Sequence, residues 1–270
     1  MTHETAPAYD FDAVIIGAGV LGGAIAVELA RRGLRTLNVD KAPMAGAGST
    51  SNSCAIVRFS YSTVPGVSLA WEAMHYWTDW PAYISAHDEL GLITFNQCGQ
   101  FNLLVGGDDH SATVRALWEQ LGIPFEEWTL DDLAQRMPVL DHGLYGPPKR
   151  PDDPHFWDDA HGTVTGALFS PDSGYVSDPQ LSCHNLQRAA EAAGGEFWFN
   201  AAVTSVDQAE DRVSGVTLAD GRRVMAPIVV NVAGPHSAVI NRMAGVHDSM
   251  NIKTRALRHE VHHVPAPKGF

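Results

Sequence analysis

The chain has 270 residues, of which 45% are hydrophobic and 18% charged, a composition typical of a globular protein with one complex domain or two. Its 18 Lys and Arg against 31 Asp and Glu give a formal net charge of −13, which excludes a general basic surface for nucleic acid. The three cysteines show no C-x-x-C spacing, so we expect no disulfide framework, a reducing compartment and a cytoplasmic protein. We also expect no signal peptide and no membrane span.

A strand that runs into three glycines is the first predicted feature. Ala13–Ile16 is an apolar run that fits a buried parallel strand. Gly17, Gly19 and Gly22 follow it with the spacing G-x-G-x-x-G. The first glycine allows a tight turn, the second lets the backbone approach a pyrophosphate, and the third lets a helix sit close to the sheet. These glycines therefore predict a phosphate-binding turn.

A helix and a second strand complete this unit. Residues 24–32 carry helix-forming side chains, and the N-terminus of such a helix offers N–H groups and partial positive charge to phosphates. Residues 34–39 form the next predicted strand, and Asp40 follows it, 23 residues after Gly17. A carboxylate at this distance accepts hydrogen bonds from a ribose. The whole unit predicts a dinucleotide site.

The middle of the chain is predicted as loops, helices and short strands. Residues 43–53 are rich in Gly, Ser, Ala and Asn, which is typical of a loop. The next predicted elements are a helix at 67–80, a strand pair at 91–95 and 100–105, a helix at 111–121, a short helix capped by Thr129 that stops at Pro138, and an irregular excursion at 142–159. We interpret the irregular segment at 142–159 as a surface loop. The alternative is a lid over an active site.

Regular elements return after Gly166. Asp178 is a favourable helix cap with Pro179 at the first helical position. The remaining predicted elements are a strand at 196–206, a hairpin of strands 213–218 and 222–225 around Asp220-Gly221, and a buried strand at 228–232. Nucleotide-fold elements thus lie at both ends of the chain, with a mostly β segment between them. This order predicts a nucleotide-binding domain interrupted by a substrate domain.

Four segments together resemble a known family. They are 17–40, then 46–53 with 56–58 and Tyr61, then 174–179, and finally Ala202-Val203 with Asp220-Gly221 and 229–234. In this order the chain resembles the D-amino-acid oxidase-like FAD-dependent oxidoreductases, in particular the branch of sarcosine oxidase, glycine oxidase and dimethylglycine dehydrogenase. The resemblance implies an α/β fold (α+β overall), in which a Rossmann-like FAD-binding domain is interrupted by a mixed, mostly antiparallel β substrate domain. We expect the FAD-binding domain at 1–80 and 171–248, the substrate domain at 81–170, and a returning substrate-domain strand beginning in 249–270.

The resemblance also implies FAD and the residues that hold it. The expected cofactor-binding residues are Gly17, Gly19, Val20, Leu21, Gly22, Asp40, Lys41, Gly48, Ser49, Thr50, Ser51, Val203, Ala233, Gly234 and His236. Asp40 is expected at the adenosine ribose, and residues 48–51 near the pyrophosphate and the isoalloxazine. The backbone of Val203 is expected at the adenine. Residues 233–234 are expected to close over the cofactor, with His236 where the family often places an aromatic.

Arg58 and Tyr61 are the candidate catalytic residues. Arg58 matches an arginine with which some sarcosine-oxidase-like members bind the substrate carboxylate, and a guanidinium offers a planar fork to such a group. The alternative for Arg58 is a structural salt bridge at a domain edge. Tyr61 offers a hydroxyl nearby, with simple packing as its alternative. Ala55 stands where some members carry a basic residue near the flavin, and no histidine for covalent attachment lies between Lys41 and Arg58.

The expected activity of the full-length protein is oxidation of the C–N bond of a small carboxylate-bearing amine or N-methyl amino acid, with hydride transfer to flavin. Oxygen or another acceptor reoxidises the flavin. The alternatives are oxidation of a 2-hydroxy acid or glycerol 3-phosphate, a flavin-binding subunit that needs a partner chain, and a nicotinamide-dependent dehydrogenase. Residues 255–264 resemble a strand, and since the chain ends soon after them we expect a truncated fragment. No metal site is expected, because residues 255–264 resemble a half-exposed strand, in which His259 and His262 would point to opposite faces.

Overall fold

The computed structural model describes residues 9–107, 109–262, 264–266 and 268. The described chain forms two compact units. Unit 1 lies within Met1–Ala55, Asp79–Thr94 and Val176–His262, and unit 2 lies within Ile56–Thr78, Phe95–Tyr175 and His263–Phe270. These boundaries differ from those expected from the sequence, and the division into an FAD-binding domain and a substrate domain stays a prediction.

The described chain contains thirteen strands and seven α-helices. In order, the elements are β1 (Ala13–Ile16), α1 (Val20–Arg31), β2 (Thr36–Val39), β3 (Ile56–Val57), α2 (Val64–Thr78), α3 (Trp80–Ile84), β4 (Phe95–Asn96), β5 (Gln100–Leu104), α4 (Asp109–Leu121), β6 (Glu126–Thr129), α5 (Leu130–Arg136), β7 (Gly166–Ser170), β8 (Gly174–Val176), α6 (Pro179–Ala192), β9 (Glu196–Trp198), β10 (Val203–Ala209), β11 (Arg212–Leu218), β12 (Arg223–Met225), β13 (Ile228–Asn231) and α7 (Ser237–Met243). Short 3-10 turns occupy Gly234–His236 and His247–Ser249.

Unit 1 is built on a four-stranded parallel sheet in the order β13-β1-β2-β9. Helices α1 and α6 pack against each other and against this sheet. The antiparallel sheet β10-β11-β12 contributes to the same core, where Val14 and Leu37 pack with Val216 and Leu218. All four residues of β1 are buried, as expected for an inner parallel strand. The expected Rossmann-like fold is therefore confirmed.

Unit 2 contains the two remaining sheets, β3-β8-β4 and β5-β7-β6. Strand β7 pairs antiparallel with both β5 and β6. Leu168 of this sheet joins a core with Phe59 and Trp118, and the indole Nε1 of Trp118 donates a 3.0 Å hydrogen bond to the carbonyl of Phe59. Ala167, the next residue along β7, belongs to a separate cluster with Trp128. The sheet thus buries apolar side chains from adjacent positions in two cores.

The strand pair expected at 91–95 and 100–105 is wrong. The two strands found there, β4 and β5, lie in different sheets. The chain turns between them at Gly99, which has φ +79°, and the Gly99 N–H donates a 2.9 Å hydrogen bond to the Ser173 carbonyl. A Cβ at Gly99 would lie 2.3 Å from the Phe169 ring, so this turn needs glycine.

The single strand expected at 196–206 is also wrong, because the chain breaks there into β9 and β10. Asn200 is left-handed with φ +53°, and its N–H donates to the Ala42 carbonyl at 2.9 Å. The Ala201 N–H donates to the Asp40 carbonyl at 2.8 Å. These bonds to the segment after β2 let the chain leave the parallel sheet and enter the antiparallel one.

Three other boundaries differ from expectation. Helix α1 begins at Val20, four residues before its expected start, and so includes Gly22. The helix expected at 67–80 ends at Thr78, because Asp79 caps a separate helix α3. The strand expected at 255–264 is absent from residues 255–262 and 264, all of which are exposed and unpaired with any strand of the described chain. Among the described residues, no helix has the length and apolarity needed to cross a membrane.

Candidate cofactor site

The turn after β1 has room only for glycine at two positions. Gly17 has φ +119°, and a Cβ on it would lie 2.4 Å from the carbonyl oxygen of Val232. A Cβ on Gly22 would lie 1.9 Å from the carbonyl oxygen of Gly17. The backbone of α1 therefore approaches the ends of β1 and β13 more closely than any side chain allows.

The first turn of α1 offers backbone donors. The helix starts after Gly19, which provides no side-chain cap. The N–H of Val20 donates to Thr50 Oγ1 at 3.2 Å. Leu21 is exposed in the same turn, with 65% of its surface accessible. Because the first N–H groups of a helix lack partners within the helix and carry partial positive charge, this end suits an anionic group.

The side-chain amide of Asn38 is hydrogen-bonded to the glycine turn. Asn38 is 1% exposed within β2, and its Nδ2 donates to the carbonyls of Gly22 at 3.2 Å and Gly17 at 3.4 Å. These bonds tie the side chain of Asn38 to the backbone at both ends of the glycine turn. Asn38 was not among the residues predicted from the sequence. The signal for it was a side-chain amide between the apolar residues Leu37 and Val39.

Asp40 lies beside this turn at the end of β2. Its Oδ2 accepts a 2.8 Å hydrogen bond from the N–H of Ala18, and its Oδ1 accepts one of 2.8 Å from the N–H of Ala42. A carboxylate has about four acceptor positions, so each oxygen keeps one for a ligand hydroxyl. Val203, expected at an adenine, begins β10 two residues after Ala201, whose N–H donates to the Asp40 carbonyl.

The loop at 46–53 folds back onto the glycine turn. The N–H of Gly46 donates to the carbonyl of Ala18 at 2.9 Å, and Thr50 holds Val20 as described. Within the loop, Ser51 Oγ and Asn52 Nδ2 donate to the carbonyl of Gly48 at 3.2 and 2.9 Å. Ser49 is exposed. The loop thus borders the N-terminus of α1.

The segment after β13 meets the segment after β2. Ala233 caps a 3-10 turn over Gly234–His236, and Gly234 has φ +56°. Nε2 of His236 lies 3.1 Å from Nζ of Lys41. The cofactor residues expected from the sequence therefore lie along the carboxyl edge of the parallel sheet in unit 1 or in the segments bonded to it.

These residues fit the adenosine diphosphate half of FAD. The helix N-terminus supplies donors for a diphosphate, and the glycine turn supplies a close approach that a Cβ at Gly17 or Gly22 would prevent. Asp40 supplies a carboxylate with free acceptor positions for a ribose.

Arg58 and Tyr61 belong to unit 2 and interact with each other. The guanidinium carbon of Arg58 lies 5.8 Å from the centroid of the Tyr61 ring, and both residues are exposed. None of the ion pairs in the described part of the chain includes Arg58. Among the described residues, Arg58 therefore has no acidic partner for the structural salt bridge that was the alternative to carboxylate binding.

One cluster outside this site has the side chains of a metal site. Ligand atoms of Asp88, Glu89 and His184 lie within 4.8 Å of one another. Oδ2 of Asp88 is, however, 2.8 Å from His184 Nδ1 and accepts a 2.6 Å hydrogen bond from Asn185 Nδ2. Glu89 pairs with the guanidinium of Arg188. These partners favour a structural network that joins α6 to residues 79–94.

Comparison with known proteins gives one family match. The family model described as FAD dependent oxidoreductase matches residues 12–270. Among curated proteins, N-methyl-L-tryptophan oxidase of Yersinia pestis is 28% identical over 229 residues, which cover 82% of this chain and 53% of that protein. The chain therefore spans about half the length of the curated relatives it matches.

Solved structures show the same fold. L-proline dehydrogenase from P. horikoshii aligns with a TM-score of 0.68 at 22% identity, over 87% of this chain and 56% of the other. Glycine oxidase from Geobacillus kaustophilus aligns with a TM-score of 0.68 at 22% identity, over 88% of this chain and 59% of the other. At this identity the two likenesses establish architecture only.

Proposed function

Since the chain belongs to the FAD dependent oxidoreductase family, we propose that the whole protein oxidises the C–N bond of a small carboxylate-bearing amine such as an N-methyl amino acid. Family membership confirms the oxidoreductase class and the FAD cofactor that the sequence predicted. FAD, when bound, accepts a hydride from the carbon next to the nitrogen. The observation that carries the proposal is the edge of unit 1, where a glycine turn, the N-terminus of α1 and the Asp40 carboxylate lie together.

The residues of unit 1 hold the adenosine diphosphate half of the cofactor in this proposal. Asp40 accepts hydrogen bonds from ribose hydroxyls, and the first turn of α1 donates to phosphate oxygens. Val203 and the segment 233–234 border the adenosine side. Residues 48–51 border the phosphates and the flavin side.

Arg58 binds the substrate carboxylate in this proposal. A guanidinium and a carboxylate form two parallel, charge-assisted hydrogen bonds, and each is worth about 1.5–3 kcal/mol where water is excluded. The Tyr61 ring contributes by packing against the guanidinium, because an aromatic face attracts a cation. Fixing the carboxylate orients the reacting carbon, which lowers the entropic part of the barrier.

The alternatives differ in the bond that is oxidised. A 2-hydroxy acid or glycerol 3-phosphate has a C–O bond at the reacting carbon. The relatives named above are an N-methyl-L-tryptophan oxidase, an L-proline dehydrogenase and a glycine oxidase, and these names favour an amine. The electron acceptor, oxygen or another molecule, and a partner subunit remain parts of the proposal. A cytoplasmic location is also proposed, because all three cysteines are free thiols.

The test is the visible spectrum of the purified protein under anaerobic conditions. We expect flavin absorption bands that bleach on addition of an N-methyl amino acid such as sarcosine, and that persist with lactate or glycerol 3-phosphate. Bleaching by the hydroxy compounds alone would replace amine oxidation with C–O oxidation. A protein that neither carries FAD nor takes it up, both as the 270 residues and as a longer chain, would overturn the proposal.

A further inference from the structure

Lys41 and His236 meet across the carboxyl edge of the parallel sheet. Lys41 follows β2, and His236 follows β13. These strands are not neighbours, since β1 lies between them. The 3.1 Å contact between Lys41 Nζ and His236 Nε2 joins residues 195 positions apart. It therefore spans the end of β1, where the glycine turn leaves the sheet.

The pair has unused hydrogen-bond donors. Among the described residues, the His236 ring is the hydrogen-bond partner of the Lys41 ammonium, and no ion pair includes Lys41. An ammonium has three N–H donors, so two remain for a ligand. If Nε2 of His236 accepts from Lys41, the neutral ring carries its proton on Nδ1 and presents a further donor. Both side chains are exposed.

The glycine turn and the helix N-terminus contain no side chain with a full positive charge to balance a diphosphate. The N-terminus of α1 supplies the equivalent of about half an elementary charge, whereas a diphosphate ester carries two negative charges. Asp40, the nearest acid in sequence, already accepts from the Ala18 and Ala42 N–H groups. Lys41 is thus an unpaired cation next to a predicted anion site.

We infer that Lys41 donates to an oxygen of the cofactor diphosphate and that His236 is a positioning residue for the Lys41 ammonium. This inference rests on the proposed function, since FAD is the ligand. Asp40 binds the ribose, so the two neighbouring residues at the end of β2 recognise different groups of one ligand.

Binding of ADP and of adenosine to the 270-residue chain, measured by calorimetry, tests this assignment. Adenosine keeps the base and the ribose but has no phosphate. We expect Lys41→Met to weaken ADP at least tenfold and to change adenosine less than twofold. Asp40→Asn is expected to weaken both ligands. Arg32→Met is the matched control: it also removes one positive charge, but Arg32 lies at the other end of α1, about 18 Å away for 12 residues, and its loss is expected to change neither ligand.

The positioning role of His236 has its own readout. His236→Ala is expected to weaken ADP less than Lys41→Met does, and to have no further effect in the Lys41→Met background. His236→Gln is expected to restore ADP binding, because its side-chain oxygen accepts from the ammonium. Equal losses for adenosine and ADP in Lys41→Met would overturn the inference and assign Lys41 to the ribose. Additive effects of Lys41→Met and His236→Ala would overturn the positioning role.

The same measurements separate this inference from the function it rests on. Unchanged ADP binding in Lys41→Met, with FAD bound by the wild type, would overturn the inference alone. ADP binding that depends on Lys41, in a protein that never takes up FAD, would support the phosphate contact and overturn the proposed function. A wild-type chain that binds neither FAD nor ADP would overturn both.

Discussion

The backbone N–H of Ala18 donates a 2.8 Å hydrogen bond to Oδ2 of Asp40. This bond joins the middle of the glycine turn after β1 to the side chain of the residue that follows β2. Because Oδ1 accepts from Ala42 as well, the carboxylate is held in one orientation before any ligand arrives. A ligand ribose then meets an acceptor that has little side-chain freedom left to lose.

Replacement of Asp40 by Asn tests this arrangement. We expect FAD affinity to fall about 10- to 100-fold, because a charge-assisted hydrogen bond is worth about 1.5–3 kcal/mol. Fluorescence titration of FAD measures the loss. Asp211→Asn is the control, since Asp211 is exposed, lies in the same unit, has φ +62° that Asn tolerates, and loses the same charge. Equal affinities for the two variants would contradict the role of Asp40.

Comparison of Gly17 with Gly33 distinguishes two effects of replacing a glycine: strain in the backbone and a clash of the added Cβ with a neighbouring atom. Gly33 has φ +83° and open space around its missing Cβ, whereas a Cβ on Gly17 would lie 2.4 Å from the Val232 oxygen. We expect Gly33→Ala to lower the free energy of unfolding by about 1–2 kcal/mol through backbone strain alone. Gly17→Ala is expected to cost at least about 2 kcal/mol more, because the backbone at Val232, just after β13, must move. Urea unfolding measures both, and equal losses would contradict the close approach.

Local patterns in the sequence predicted much of the fold correctly. Strand β1 was predicted with its observed limits, and the side chain of Asp178 caps α6 as expected, accepting from the N–H groups of Gln180 and Leu181. The predicted hairpin around Asp220-Gly221 is confirmed, because β11 and β12 pair antiparallel on either side of it. Each of these features depends on residues close together in the chain, where capping and turn preferences act directly.

The errors concern partners that are distant in the chain. Strands β4 and β5 were expected to pair with each other, but their partners are β8 and β7. In the site, Asn38 was missed because its partners are carbonyls 16 and 21 residues away. The network of Asp88 and Asn185 was missed for the same reason, since 97 positions separate these two residues. Sequence periodicity contains no information about such pairs.

The buried Asp88 carboxylate predicts a dependence of stability on pH. Burial raises its pKa, but hydrogen bonds from the Leu90 N–H, His184 and Asn185 outweigh burial and hold the pKa below the usual 3.8. A lowered pKa in the folded state contributes stability that is present above the usual value and is lost as pH falls through the folded value. We therefore expect the free energy of unfolding to fall as the pH is lowered below about 4.

Asp88→Asn is the variant that checks this dependence. It is expected to be less stable than the wild type at pH 7 and to lose less stability on acidification, because it has no carboxylate to protonate at this position. Asp211→Asn, an exposed change of the same kind, is expected to follow the wild-type curve. If the free energy of unfolding falls in parallel with pH in the wild type and in Asp88→Asn, other groups cause the loss of stability in acid.

Cys183 is expected to be unreactive in the folded protein. It is 1% exposed beneath the loop at 46–53, and burial raises the pKa of its thiol to about 11. Cys54 and Cys98 are exposed. Since the thiolate is the reactive form, a disulfide reagent at pH 8 is expected to titrate two thiols rapidly and the third only after unfolding. Cys183→Ser should leave the rapid count at two, and a rapid count of three in the wild type would contradict the buried position.

Arg58 is expected to distinguish substrates by their carboxylate. In the active full-length protein, Arg58→Met should lower kcat/KM for a carboxylate-bearing amine about 10- to 100-fold, because a charge-assisted bond worth about 1.5–3 kcal/mol is lost. The same amine with its carboxylate esterified should react at nearly the same rate in both proteins. Arg58→Lys should keep part of the activity, since it preserves the charge but not the planar fork.

Tyr61 supplies the matched control for Arg58. Tyr61→Phe keeps the ring that lies 5.8 Å from the guanidinium and removes only the hydroxyl, so we expect kcat/KM to change less than about threefold. Tyr61→Ala removes the ring and should weaken the carboxylate substrate more than the ester, because the guanidinium loses its packing partner. If Arg58→Met slows the acid and the ester equally, Arg58 does not bind the carboxylate. If Tyr61→Phe slows both strongly, the hydroxyl itself takes part in the reaction.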